Sequence, residues 1–190
     1  MVQSYDSLIK SHVDAYNDIK IPFAKSYLKG LLEMKGNQLM YPDANSTMRI
    51  TYGSVKSYEP TDGVKFKYYT TLDGLAAKYK AGDDEFDAPT ALLDLHKKKD
   101  YGSWADEDGT LHTCFITNND ITGGNSGSPV LNAKGELIGT AFDGNWEAMS
   151  GDIAFDKKYK RTIVCDIRYV LFLIDKLGNA QNLIQEMEIQ

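Results

Sequence analysis

With 190 residues, 42% of them hydrophobic and 25% charged, the chain has the makeup of an ordinary globular protein, with room for one sizeable domain or a small domain and an appendage. A net charge of −6 and a pI of about 5.1 argue against nucleic-acid binding, which needs a basic stripe to neutralise phosphates. No apolar run approaches the roughly 20 residues that span a bilayer.

The start, Met1-Val2-Gln3-Ser4-Tyr5-Asp6, lacks the basic and apolar regions of a signal peptide, so any export signal is expected elsewhere. Leu8, Ile9, Val13, Tyr16 and Ile19 then recur at three- and four-residue spacing, which predicts a helix with one apolar face. Pro22 is expected to interrupt it. A second helical run follows through Phe23, Tyr27, Leu28, Leu31 and Leu32, with Gly36-Asn37 as its stop.

From Tyr41 the texture changes. Met48–Gly53 and Val64–Tyr69 read as short strands, with Pro60-Thr61-Asp62-Gly63 as turn chemistry between them. Leu72 to Lys99 reads as short helices broken at Ala81–Asp84 and Asp87–Pro89, and Lys97-Lys98-Lys99 as a solvated charge run. Further strands are expected at His112–Thr117, Ser128–Leu131, Glu136–Phe142 and Thr162–Asp166. A closing helix follows over Tyr169–Met187, capped by Asp166 and breakable at Gly178. Cys114 and Cys165 are too few for a disulfide scaffold and sit in apolar stretches, so they are expected as buried free thiols. This order of elements predicts an α+β fold whose mainly antiparallel sheet curls into a β-barrel.

The stretch with chemical content is Thr122-Gly123-Gly124-Asn125-Ser126-Gly127-Ser128-Pro129. Glycines on both sides of a serine permit backbone angles that other residues avoid. Such a turn holds a hydroxyl clear of the chain while aiming neighbouring N–H groups at one point. Acyl transfer needs that pairing, with donors about 3 Å from the developing oxyanion. Ser126 is the candidate nucleophile, and the amides of Gly124 and Ser126 the candidate donors. Alone, these residues also fit a Gly/Ser-rich turn without chemistry. The turn leads into Asn132-Ala133-Lys134-Gly135 and the strand Glu136–Phe142, a hairpin similar to the one that follows the nucleophile in trypsin-like proteases.

The run Thr122–Leu131, then Gly135–Gly139, then Ala141–Asp152, closely resembles the bacterial dipeptidyl-peptidase 7 and 11 family. Arg161-Thr162-Ile163 and Asp166–Phe172 extend the likeness. The resemblance implies a chymotrypsin-type double barrel with an inserted helical domain, acting on peptides with a free N-terminus. Residues 1–40 would be the tail of the helical insert. Residues 41–190 would be most of the second, nucleophile-bearing barrel with its closing helix.

Within that likeness, Asp143 matches a residue that binds the substrate's N-terminal ammonium. Gly144 stands where acid-selective relatives place an arginine, which implies cleavage after hydrophobic residues. From the residues alone, Asp143-Gly144 is a common turn pair. The catalytic His and Asp of the family would lie upstream, in the remainder of the parent chain. None of His12, His96 and His112 sits in a motif of that kind, so the fragment alone is expected to be inactive. No cofactor or metal is expected. The resemblance places the parent in the periplasm or at the cell surface of a bacterium and leaves room for a homodimer. Two other readings are a trypsin-like periplasmic endopeptidase, against which the Phe142–Asp152 segment and the helical lead-in stand, and, for the chain as given, a folded structural or docking module without activity of its own.

Overall fold

The computed structural model describes residues 8–38, 47–149 and 156–190, so the expected boundary at 40/41 and Ser150–Asp152 of the family likeness lie outside the described residues. The chain divides into two units, Met1–Thr47 and Met48–Gln190.

In the first unit, α1 (Lys10–Lys35) runs unbroken for 26 residues, roughly 40 Å, through Pro22. Two helices were expected there. Proline removes one backbone hydrogen bond, but its fixed φ is itself helical, and the helix formers on either side carry the backbone through. Gly36 ends it at φ +56°, its N–H returning to the Leu32 carbonyl at 3.0 Å. No residue of α1 is buried, and its apolar stripe, including Tyr16 and Phe23, is exposed. No helix among the described residues is long and apolar enough to cross a membrane.

The second unit opens on an extended segment, then a hairpin of β1 (Tyr58–Thr61) and β2 (Val64–Phe66) around Asp62-Gly63. The strand expected at Met48–Gly53 does not form. Gly53 lies so close to the end of the next sheet that a Cβ would come within 2.6 Å of Asn118 Oδ1 and 2.8 Å of the Asn119 nitrogen. The segment meets that sheet only around Val55, where Lys56 N donates to Ile116 O and Asn118 N to Ser54 O.

Five strands form the main sheet: β3 (Tyr69–Thr71), β4 (His112–Thr117), β5 (Pro129–Leu131), β6 (Leu137–Gly144) and β7 (Thr162–Asp166). All pair antiparallel, in the order β3-β4-β7-β6-β5. Among the described residues this sheet is open. The expected barrel is not reached, because the edge strands β3 and β5 have three residues each and do not meet, and closure requires every edge to be paired.

Between β3 and β4 lie α2 (Leu72–Lys78), α3 (Thr90–Lys98) and a 3₁₀ turn at Gly102–Trp104. Leu72, Leu92, Tyr101, Trp104 and Leu111 pack with Leu171 and Phe172 into the principal core cluster. The last two come from α4 (Ile167–Phe172), which follows β7 directly. Asp166 caps α4, accepting from Arg168 N at 2.9 Å. The closing helix breaks at Gly178, the residue expected to break it: a single π turn at Leu173–Leu177 ends there, the Gly178 N–H reaching Leu173 O, before α5 (Gln181–Gln185). Arg168 ties the end of β7 to the loop before β4, pairing with Asp166 at 2.9 Å and with Asp106 at 2.6 Å. The guanidinium holds the Asp106 carboxyl below the usual carboxylate range.

Gly139, mid-β6, is fixed by space. A Cβ there would lie 2.5 Å from the Cys165 carbonyl oxygen and 2.5 Å from Val164 Cγ1. Backbone cannot swing aside as a side-chain tip can. Gly139→Ala is therefore expected to destabilise the fold by about 1–3 kcal/mol or more, as over-packing does. Urea unfolding should show a lower midpoint with an unchanged m-value.

Candidate active site

Two successive turns lift Ser126 off the sheet. In the first, Asn125 N donates to Thr122 O at 3.2 Å and Gly124 adopts φ +96°. In the second, Ser128 N donates to Asn125 O at 3.0 Å and Gly127 adopts φ +84°. The third position of a type II turn demands positive φ, and glycine is the residue that takes it without steric cost. Gly127 N then donates to Ala141 O at 2.8 Å and Ala141 N to Ser128 O at 3.0 Å, which stitches the second turn to β6.

Ser126 is exposed, and its Oγ donates to the Phe142 carbonyl at 3.2 Å. That carbonyl is free because of a β-bulge. Ala141 pairs with Val164 and Asp143 with Ile163, so Phe142 is an extra residue on β6. Asp143 and Gly144 follow at once, ending the strand. Asp143 is exposed, and its Oδ1 accepts from Gly144 N at 2.7 Å. A Cβ on Gly144 would touch Ala148 Cβ at 3.0 Å, so a side chain there needs only a small shift of the Trp146–Ala148 turn. The nucleophile candidate and both binding candidates thus meet at one end of β6.

Three side chains that the sequence reading passed over brace this corner. Arg49 Nη2 reaches Thr122 Oγ1 at 3.3 Å and Asn125 Oδ1 at 3.4 Å, setting a cation beside the first turn. Asn145 is buried and links the end of β6 to the start of β7. Its Oδ1 accepts from Arg161 N at 2.7 Å, while its Nδ2 donates to Tyr159 O at 2.8 Å and to Glu147 Oε2 at 2.7 Å. Arg161, also buried, donates to the carbonyls of Lys56, Ser57, Lys157 and Lys160 and lies over the Tyr58 ring at 5.1 Å. Burial lowers its pKa from the usual arginine value. A signal was available for Arg49, which stands in the otherwise β-rich stretch Met48–Gly53. None marks Asn145, whose role depends on which loop returns beside it.

The histidines lie elsewhere. His96 Nε2 pairs with Asp73 at 2.7 Å. His112 is buried at the start of β4, stacked on Tyr69 at 3.9 Å with Nδ1 3.1 Å from Asp106. That end of β4 adjoins Asp166, whereas Ser126 stands at the Phe142–Gly144 end of the neighbouring strand. His12 belongs to α1, in the other unit. A concavity of about 1110 Å³ is lined by Trp104, Asp106, His112, Leu171 and Ile184 and by none of Ser126, Asp143 or Gly144. Hollow volume and candidate chemistry therefore disagree. The candidate chemistry stays with the glycine turns, where an exposed hydroxyl stands between two glycines at positive φ. No group of His, Cys, Asp or Glu among the described residues is arranged to hold a metal ion.

The family model for peptidase S46 matches residues 2–189. The chain belongs to the peptidase S46 family. Among its S46 relatives, dipeptidyl-peptidase 7 of Capnocytophaga gingivalis is 55% identical over 188 residues, which cover 97% of this chain and 26% of that protein. The Asp/Glu-specific dipeptidyl-peptidase of Porphyromonas gingivalis is 48% identical over 174 residues, covering 92% and 24%. Of solved structures, Porphyromonas endodontalis DPP11 in complex with the dipeptide Arg-Asp matches with a TM-score of 0.81 at 45% identity, over 87% of this chain and 24% of that one. The chain thus spans about a quarter of the length of the S46 peptidases it matches.

Proposed function

We propose that this chain is the nucleophile-bearing part of a serine-type dipeptidyl peptidase that releases dipeptides from free N-termini, after hydrophobic residues. The observation that carries the reading is the corner itself. An exposed serine hydroxyl stands on a double glycine turn and donates to the carbonyl of the residue just before Asp143. Ser126 Oγ attacks the scissile carbonyl. The N–H groups of Gly124 and Ser126 receive the oxyanion, where preorganised donors are worth roughly 2.7–4 kcal/mol each. The general base and its orienting carboxylate come from the rest of the parent protein, together with the remaining strands of a chymotrypsin-type barrel. A trypsin-like endopeptidase is less well supported, since the similar S46 proteins are named dipeptidyl peptidases. We read the parent, similar to bacterial dipeptidyl peptidases, as a protein of the periplasm or cell surface.

Asp143 pairs with the substrate's ammonium. Its Oδ1 is taken by Gly144 N, and among the described residues Oδ2 has no partner. Gly144 leaves the neighbouring pocket uncharged and open to an apolar side chain. The higher identity to dipeptidyl-peptidase 7 than to the Asp/Glu-specific relative supports the same specificity.

Substitutions in the full-length parent test this. Asp143→Ala should lower kcat/KM for free-amine dipeptide substrates by roughly 10- to 150-fold, the equivalent of one charge-assisted hydrogen bond, and leave an N-blocked analogue almost unaffected. Gly144→Arg should move preference from apolar to acidic residues before the scissile bond, because a guanidinium pairs bidentately with a carboxylate. The decisive quantity is kcat/KM for apolar against acidic dipeptide substrates. An unchanged ratio in Gly144→Arg removes the specificity assignment.

A further inference from the structure

Cys114 and Cys165 are the two cysteines of the chain, and they are direct partners across β4 and β7. The backbone fixes what kind of pair they make. Ile116 N donates to Tyr68 O at 2.7 Å and Ile116 O accepts from Lys56 N, so Ile116 turns its backbone groups away from β7. Cys114, two residues earlier, has the same orientation and pairs with Thr70 of β3 on that side. Cys114 and Cys165 therefore face each other at a non-hydrogen-bonded position. There the Cα atoms of an antiparallel pair approach to roughly 4.5 Å and the side chains come closest. That separation lies inside the span of roughly 4.4–6.8 Å that disulfides occupy. Thr70 and Thr140 continue the same cross-strand row on either side. Both thiols are free and partly exposed, where burial had been expected from their apolar surroundings. Neither contributes to the corner at Ser126.

We propose that Cys114 and Cys165 form an oxidation site that closes to a cross-strand disulfide on meeting a small-molecule or protein disulfide. In the first step the Cys165 thiolate attacks one sulfur of the oxidant, and the other sulfur of the oxidant leaves as a thiolate. In the second, Cys114 gives up its proton and attacks the Cys165 sulfur of the mixed disulfide, releasing the second thiol of the oxidant. Two electrons and two protons pass from the pair to the oxidant, which ends as two thiols. Cys165 acts first because a hydrogen bond from the Cys114 thiol stabilises its thiolate, bringing its pKa down to about 7. The same bond, with burial, pushes the Cys114 thiol up. The new bond would fasten β4 to β7 and close a loop containing Ser126, Asp143 and Gly144.

The test uses the full-length protein, reduced and then exposed to oxidised glutathione. After alkylation and a non-reducing tryptic digest, residues 100–134 and 162–168 should appear as one linked peptide, two hydrogens lighter than the sum of its parts. Both thiols should be lost to alkylation. Tm should rise by several degrees over the reduced protein, as expected when a long loop is closed. Cys114→Ser and Cys165→Ser should each abolish the linked peptide and the Tm rise. Alkylation of the unsubstituted protein does not depend on the folding of either variant. Retention of both alkylatable thiols, a glutathione adduct that never resolves, or a link from either cysteine to a different one would overturn the proposal.

Discussion

Ser126→Ala in the full-length parent is expected to abolish peptidase activity and leave the fold intact. Removing the nucleophile of a serine triad lowers kcat by roughly 10⁴- to 10⁶-fold. The structural cost should be small, because the hydroxyl is exposed and its one hydrogen bond goes to a carbonyl at the surface end of β6. Asn125, Gly127 and Ser128 keep the two turns in place through backbone bonds that do not involve the Ser126 side chain. The measurement is turnover of dipeptide-linked fluorogenic substrates beside a thermal unfolding curve. Retained activity with an unchanged Tm would make Ser126 a turn residue and transfer the nucleophile's role to Ser128.

Produced by itself, the 190-residue chain is expected to show no turnover of the same substrates. Serine at its ordinary pKa is a poor nucleophile and depends on an adjacent base. Within the second unit both histidines are engaged elsewhere: His96 with Asp73, and His112 with Asp106 beneath the Tyr69 ring. A burst or steady-state rate within a few hundred-fold of the parent, lost in Ser126→Ala, would show that the base lies in this chain. Circular dichroism on the same sample separates an inactive folded chain from an unfolded one. Adding the missing part of the parent in trans should restore activity if the deficit is the missing base.

Much of this was legible from spacing. The strands at His112–Thr117 and Thr162–Asp166 were readable because apolar and β-branched residues repeat there, and the Gly-Asn-Ser-Gly turn because glycine marks positive φ. Asp166 could be read as a cap because its carboxylate precedes an apolar helical run. Local pattern missed what depends on distant contacts. Pro22 stays within a helix, which one-residue rules do not foresee. The Phe142 bulge exists only because β6 and β7 slip by one residue against each other. Asn145 and Arg161 matter through carbonyls contributed by Lys56, Ser57 and Tyr159, far away in sequence or on a returning loop. Strand content could be counted from the sequence, but whether the first and last strands of this chain meet could not.

The two borders of the main sheet differ in how they would behave in a test tube. β5 starts with Pro129, which has no N–H to offer an incoming strand. β3 is Tyr69-Thr70-Thr71, three residues of high strand propensity with no proline or charge among them. Unpaired ladder groups on such a border recruit whatever extended chain is at hand. A preparation of this fragment at high concentration would therefore gain intermolecular strands along β3 first. A single lysine in place of Thr70 would be the economical way to keep it in solution.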